Sequence, residues 1–390
     1  MKKDRLFDDD PKADPPDVLS KMKTAPYYQE GTGAAIHGDS RDLLEELEED
    51  SIDLVLTSPP FALNRKKEYG NKGSEEYSEW FFEFAERVYR VLKPSGSFVV
   101  DIGGSWIKGE PVRSLYQYEL LLKLAGDDGP FHLAQDLYWY NPAKLPTPAQ
   151  WVTIERIRLK DAVNQVWWLS KGTRPEADNR KVLKTYSDSQ EKLMEFGYRD
   201  KKRPSGHDIS DTFDEPIEGD GAIRPNFWNE LASSDVVPDF VELLDTAGVP
   251  RRLIEVADEN DVLGDLIETV FGEYVDDEVI EFANTASNTH YLRACKALDL
   301  DPHPARFPRQ LPEFFIKFLT EPGDVVVDIF AGSNTTGQVA DRLDRHWLAF
   351  ENQRGYLTTS QLRFKKWNDI ESLSNTNEEI SVPHIETADD

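Results

Sequence analysis

The chain has a single cysteine, Cys295, in 390 residues. An internal disulfide and a multi-cysteine zinc site are therefore excluded, and no metal site is expected. Cys295 lies in the helical-looking segment Tyr291-Leu-Arg-Ala-Cys-Lys296 and reads as a packed small residue, not as a nucleophile. No apolar run reaches the roughly 18 residues that a membrane-spanning helix needs. The N-terminus, Met1-Lys-Lys-Asp-Arg-Leu-Phe-Asp-Asp-Asp10, lacks the apolar stretch of a signal peptide, so a cytoplasmic protein without a membrane partner is expected. Basic residues are outnumbered: 45 Lys and Arg face 73 Asp and Glu, for a net charge of −28. This balance runs against nucleic-acid binding over the surface as a whole. It does not describe any one site, because net charge is summed over the entire chain. A surface this acidic would suit a high-salt cytoplasm.

What is present is organised around Val325-Val-Val-Asp-Ile-Phe-Ala-Gly-Ser-Asn-Thr-Thr-Gly337. The β-branched run Val325–Val327 has the character of a parallel strand buried on both faces. Asp328 ends it, Ala331-Gly-Ser333 makes a tight turn, and helical spacing follows from Thr335 to Leu343. Strand, small-residue turn and helix open a doubly wound sheet, whose ligands bind beyond the carboxyl ends of its strands. Glu351 closes a second apolar run, Trp347-Leu-Ala-Phe350, at about the distance from Asp328 that suits an acidic residue holding ribose hydroxyls. A nicotinamide cofactor fits less well. The full G-x-G-x-x-G pattern is missing, and the unit lies near the end of the chain.

Taken in order, residues 1–30 are polar and Pro-rich and read as a flexible arm. Ala34-Ala-Ile-His37 is a short strand leading into Gly38-Asp39-Ser40, where Ser40 can cap a helix over Arg41–Leu47. Asp39 has a competing reading as that cap. Ile52-Asp-Leu-Val-Leu56 is a strand halted by Thr57-Ser-Pro-Pro-Phe61, since proline cannot continue a central ladder. Residues Asn64–Gly73 look mobile. Tyr77–Leu92 is an amphipathic helix whose aromatic stripe reads mainly as core. Pro94-Ser-Gly96 reads as a turn, Ser97-Phe-Val-Val100 as a buried strand, and strands follow at Leu133–Tyr140 and Asn164–Leu169. The pattern weakens from Gly172 to Asn226. Residues 233–281 are strongly acidic and look helical and inserted. Regular structure returns at Asn284, with a helix over Pro312–Leu319 and a polar, disordered-looking tail after Trp367.

Thr57-Ser-Pro-Pro-Phe61 together with Asp328-Ile-Phe-Ala-Gly-Ser-Asn-Thr-Thr336 resembles the β class of S-adenosylmethionine-dependent DNA amino-methyltransferases, in which the catalytic motif precedes the cofactor motif. The Ser-Pro-Pro-Phe form is similar to the cytosine-N4 branch. Supporting stretches are His37-Gly-Asp39, Arg90-Val-Leu-Lys-Pro-Ser-Gly96, Trp167-Trp-Leu-Ser-Lys171, Asn284-Thr-Ala-Ser-Asn288 and His303-Pro-Ala-Arg-Phe-Pro308, and the likeness covers 31–173 and 284–366. Asn334 departs from the Gly often found there, but Asn tolerates left-handed backbone geometry.

The resemblance implies an α/β fold with a doubly wound, mostly parallel sheet, a circularly permuted Rossmann-like domain. Residues 31–173 would be its catalytic half and 284–366 its S-adenosylmethionine half. A target-recognition region with the acidic insertion would fill 174–283, and 367–390 would be a tail. Ser58, Pro59, Pro60 and Phe61 are implied as catalytic. Asp39, Asp328, Phe330, Gly332, Ser333, Asn334, Thr335 and Glu351 are implied as cofactor-binding. The target would be a cytosine flipped out of double-stranded DNA, and a cognate restriction endonuclease is a candidate partner. Arg180, Lys181, Lys184, Arg199, Lys201, Lys202 and Arg203 are candidates for phosphate contacts, with a solvated charged face as the competing reading.

Alternatives stay open on the residues alone. They are adenine-N6 methylation, a non-catalytic DNA- or cofactor-binding protein, and an NAD-dependent oxidoreductase. Carbon-5 cytosine methylation is disfavoured, because that family's nucleophilic cysteine usually stands beside a proline and Cys295 is flanked by Ala and Lys.

Overall fold

The computed structural model describes residues 17–62, 76–140, 146–184, 221–228, 287–306 and 308–375, with isolated positions between 186 and 195. The acidic stretch 233–281, the loop Asn64–Gly73, the basic residues Arg199 to Arg203 and the end of the tail lie outside the described residues.

Among the described residues, nine strands form one mixed sheet. They are β1 (Tyr28–Glu30), β2 (Gly33–His37), β3 (Ile52–Thr57), β4 (Leu92–Ile102), β5 (His132–Tyr140), β6 (Val163–Ser170), β7 (Phe227–Trp228), β8 (Val325–Asp328) and β9 (His346–Glu351). Their order is β1-β2-β9-β8-β3-β4-β6-β5-β7. The five strands from β2 to β4 are mutually parallel. β6 runs against both β4 and β5, so β5 points the same way as the parallel set. The late strand β8 sits between β9 and β3, at the centre of the sheet, which is the permuted doubly wound arrangement expected.

The hydrophobic pattern explains the layers. The side chains of β3 and β8 are buried throughout, as a strand covered on both faces requires. On one face lie α2 (Ser40–Glu45), α3 (Tyr77–Val91) and α4 (Tyr116–Ala125), whose Leu43, Leu44, Phe81, Val88 and Leu120 pack on Val55, Phe98 and Val327. On the other lie α6 (Gln310–Leu319) and α7 (Thr335–Arg342), where Phe315, Ile316 and Val339 meet Leu54, Leu56 and Trp347. Two further helices, α8 (Arg354–Ser360) and α9 (Trp367–Asn375), follow β9. Ile370 of α9 packs with Tyr291 and Cys295 of α5 (Ser287–Ala297) in a small third cluster.

Several sequence expectations are corrected. The arm is not flexible throughout. A short helix, α1, spans Asp17–Ser20, and β1 adds an antiparallel strand to β2. Tyr28 anchors it, because its ring is fully buried and its hydroxyl bonds to Ser360 and Asn334. The tail is helical through 375, since Ile370 supplies an apolar anchor. Pro94–Gly96 is not a turn between elements but an irregularity within β4, where the pairing register to β3 shifts. Gly96 fits there because a Cβ would press on the Ile52 and Asp53 carbonyls. Residues 227–228, placed by elimination in the recognition region, extend the sheet beside Tyr138 and Trp139.

The helix α2 is capped by Asp39, not Ser40. Asp39 has extended backbone and its carboxylate accepts the Arg41 N–H, while the buried Ser40 hydroxyl donates to the Ile329 carbonyl.

Candidate active site

The carboxyl ends of β2, β9, β8, β3 and β4 share one edge, so Asp39, Glu351, Asp328, Ser58 and Asp101 gather there from distant parts of the chain. On the cofactor-motif side, the Asp328 carboxylate is buried. Its Oδ1 accepts the Thr57 hydroxyl at 2.7 Å and the Phe330 N–H at 3.0 Å, and its Oδ2 accepts the Thr336 hydroxyl at 2.7 Å. Burial pushes its pKa up to about 6 against the opposing effect of those donors. Asp328 is thus a fastener joining β3, β8 and α7.

The turn after Asp328 is tightly packed against its neighbours. Gly332 has φ +50, and a Cβ there would meet the His303 imidazole. Asn334 takes the left-handed conformation, φ 57, and its side chain caps α7 by accepting the Gly337 N–H, as its tolerance for that region allows. Ser333 is clasped by Arg363, which donates to both its carbonyl and its hydroxyl. Thr335 is buried at the first turn of α7.

Glu351 is 8% exposed, yet it is a carboxylate at a strand end. Its Oε2 accepts the Gly332 N–H at 2.9 Å and its Oε1 the Gln353 N–H at 2.8 Å. Burial raises its pKa to about 7. Each oxygen retains acceptor capacity, since an ionised carboxylate offers about four lone-pair sites. The carboxylate sits against the glycine turn. Asp39 is committed differently. Its pairing with Arg41, which also reaches Glu83, holds its carboxyl below the usual range. Phe330 is half-buried and packs at a tilt on Trp80 and Phe84, ring centroids 5.8 and 4.9 Å away, so an apolar aromatic cluster lies on this side.

On the catalytic-motif side, β3 stops at Thr57 and the two prolines carry the chain outward. Pro59 is buried, and Ser58, Pro60 and Phe61 are half-buried. The Ser58 hydroxyl donates to Asp101 Oδ2 at 3.1 Å. Asp101 is 4% exposed, and its other oxygen accepts the Trp139 indole N–H at 3.1 Å. The consequence is directional: with its hydrogen spent on Asp101, Ser58 presents lone pairs to the space outside. Phe61 packs closely on Gly103, where a Cβ would come within 2.5 Å of the ring. Tyr116 donates to the Gly103 carbonyl and holds that platform in place.

Asp101, Trp139 and Gly103 were not singled out by sequence reasoning. Asp101-Ile-Gly-Gly104 closes β4, and a carboxylate at a strand end followed by two glycines is the signal that could have found them. Of the candidate phosphate ligands, Arg180 pairs with Asp178 and Lys181 with Glu321, while the Lys184 backbone bridges to Ala222. Among the described residues no group of three or more His, Cys, Asp or Glu is placed to hold a metal ion.

The sheet order, the permuted glycine turn and the strand-end carboxylates define a Rossmann-like α/β fold of the methyltransferase type. A family model described as DNA methylase, of the N6 and N4 amino-methyltransferases, matches residues 52–362. The curated type II methyltransferase M.PvuII of Proteus hauseri is 44% identical over 342 residues, which are 87% of this chain and 85% of that protein. The type II methyltransferase M.BglI of Bacillus subtilis is 28% identical over 331 residues, 83% of each chain. The solved structure of PvuII DNA methyltransferase, described as cytosine-N4-specific, superposes with a TM-score of 0.62 at 38% identity and covers 91% of this chain and 95% of its own. The chain belongs to the N6/N4 DNA methylase family.

Proposed function

We propose that the protein transfers a methyl group from S-adenosylmethionine to the exocyclic N4 of a cytosine flipped out of duplex DNA, as the modification half of a restriction system. The observation that carries this reading is Ser58. It is an acceptor held by a buried carboxylate, in a Ser-Pro-Pro-Phe turn, on the strand edge that also bears Glu351.

Bound S-adenosylmethionine supplies a methyl group carried on a sulfonium. Glu351 would hold its ribose hydroxyls, and Phe330 and the turn at Gly332 would flank it. The rest falls to this chain's own groups. The amino nitrogen of cytosine is a poor nucleophile because its lone pair is delocalised into the ring. Ser58 Oγ and the Pro59 carbonyl accept its two hydrogens and favour the geometry that frees the lone pair. Phe61, seated on Gly103, stacks on the base and holds it outside the duplex. As the new N–C bond would form at the expense of the methyl–sulfonium bond, leaving a neutral thioether, one amino proton would pass to Ser58 Oγ while the Ser58 hydrogen passes to the Asp101 carboxylate. The type II relatives support the restriction-system context, and their similarity extends over most of both chains.

The test is nucleoside analysis of DNA incubated with the protein and S-adenosylmethionine carrying a labelled methyl group. Label in N4-methylcytosine is the expected result. Label only in N6-methyladenine would reassign the target base, and no label in DNA would overturn the reading.

A further inference from the structure

A chain with net charge −28 must still present some surface that DNA tolerates. The described part of the expected recognition region offers little beyond the exposed Arg174, because Arg180 and Lys181 are spent in ion pairs. A different candidate stands beside the catalytic motif. β4 and β5 both end on the catalytic edge, and the segments that follow them, 104–115 and 146–162, pack together there. Arg158 stacks its guanidinium 3.6 Å over the Trp106 ring and donates to the Pro111 carbonyl. Trp151 meets Trp106 edge-on, and Arg113 bonds to Asp161. Arg113 also lies against Gly104, next to the glycine that carries Phe61. The two segments thus form one braced projection whose base touches the Phe61 platform.

Its outer face is unusual in two ways. It is apolar, with Leu159 89%, Ile154 66% and Ile157 58% exposed. It is also basic relative to the chain: Lys108, Arg156 and Lys160 are exposed there against exposed Glu110 and Glu155, of which Glu155 accepts from Gln150, while Asp161 is paired with Arg113. Exposed cations between exposed apolar side chains match a duplex whose phosphates flank a disturbed base stack, since extruding a base leaves apolar base faces uncovered.

We infer that this projection is a DNA-docking element of the enzyme, with Lys108 and Arg156 on backbone phosphates and Leu159 against the duplex beside the extruded base. The inference rests on the reading of the protein as a DNA methyltransferase. It adds a recognition surface outside 174–283, formed by residues 146–162 and the hairpin after β4.

The test compares wild-type protein with the Lys108→Gln/Arg156→Gln and Leu159→Ser variants. Binding to a fluorescein-labelled random-sequence duplex is followed by anisotropy across a salt series. Methyl transfer to genomic DNA and S-adenosylmethionine binding by calorimetry are measured beside it. The double variant should lose about one unit of salt slope per removed phosphate contact, with cofactor affinity unchanged. Leu159→Ser should leave the salt slope intact and lower kcat/KM for DNA severalfold. Unchanged slope and unchanged kcat/KM in these variants, with an active wild type, would overturn the inference. So would an unchanged slope accompanied by a shift in sedimentation, which would assign the face to contact between copies of the chain. A wild type that methylates no DNA would instead count against the methyltransferase reading itself.

Discussion

The Thr57 hydroxyl donates to Asp328 Oδ1 over 2.7 Å, joining the last residue of β3 to the last residue of β8 across 271 positions of sequence. Thr57 immediately precedes Ser58, and Asp328 lies three residues before the glycine turn that begins at Ala331. One buried hydrogen bond therefore ties the catalytic motif to the cofactor motif. The other Asp328 oxygen, held by Thr336, extends the tie to α7.

Thr57→Val keeps the shape of the side chain and removes the donor. The buried Asp328 carboxylate then loses one of its three partners, so stability should fall by about 1–3 kcal/mol. Methyl transfer should fall as well, because the two motifs lose their mutual anchor. Urea unfolding gives the first quantity and a labelled-methyl assay the second. A variant as stable and as active as the wild type would show that this bond holds nothing together.

Ser58→Ala should retain the fold and cofactor binding while lowering the methyl-transfer rate by about 10²–10³, the usual cost of an oriented polar contact that acts in the transition state. Asp101→Asn should be equally damaging for a different reason. Its carbonyl oxygen can keep the Trp139 bond, which turns the amide nitrogen toward Ser58 as a donor. The serine hydrogen is then released into the space where the amino hydrogens must sit. Near-normal single-turnover rates in Asp101→Asn would refute the orientation argument.

Glu351 makes the protein sensitive to pH near neutrality. Its pKa is raised by burial from 4.5 to about 7. The folded state therefore holds this proton more tightly than the unfolded chain, so its contribution is fully present below about pH 4.5 and is lost as pH rises through about 7. For the ligand-free protein, wild-type stability relative to Glu351→Gln should decline between about pH 5 and pH 8, by on the order of 2–3 kcal/mol. S-adenosylmethionine affinity should show the opposite trend and strengthen as the carboxylate ionises through about pH 7, because ribose hydroxyls prefer the charged acceptor. Parallel, flat pH profiles for wild type and variant would remove Glu351 from both roles.

The acidic surface makes a prediction about salt. Salt normally weakens protein–DNA contacts by lowering the gain from counterion release. If the excess of 73 acidic over 45 basic residues is an adaptation to high salt, folding and methyl transfer should persist in molar potassium chloride. Circular dichroism and the methyl assay across a salt series decide this. Inhibition well below molar salt, with best activity at low ionic strength, would show that the acidity serves another purpose.

Local chemistry alone made much of this molecule legible. The all-valine run before Asp328, the small-residue turn and the helix behind it announce a doubly wound sheet, because each is set by backbone preference and period within a few residues. The prolines after Thr57 announce the end of β3 for the same reason, and Asn334 adopts the left-handed conformation that its side chain permits. Residues 17–30 and 367–375 are ordered where the local polarity suggests an arm and a tail, because one buried side chain in each, Tyr28 and Ile370, outweighs a polar neighbourhood once a partner surface exists. The pairing of Ser58 with Asp101, of Phe61 with Gly103 and of Thr57 with Asp328 could come only from the tertiary structure. Those residues lie at or just beyond the ends of separate strands, and which strand ends become neighbours depends on the order of strands in the sheet, a property of the whole core and not of any segment.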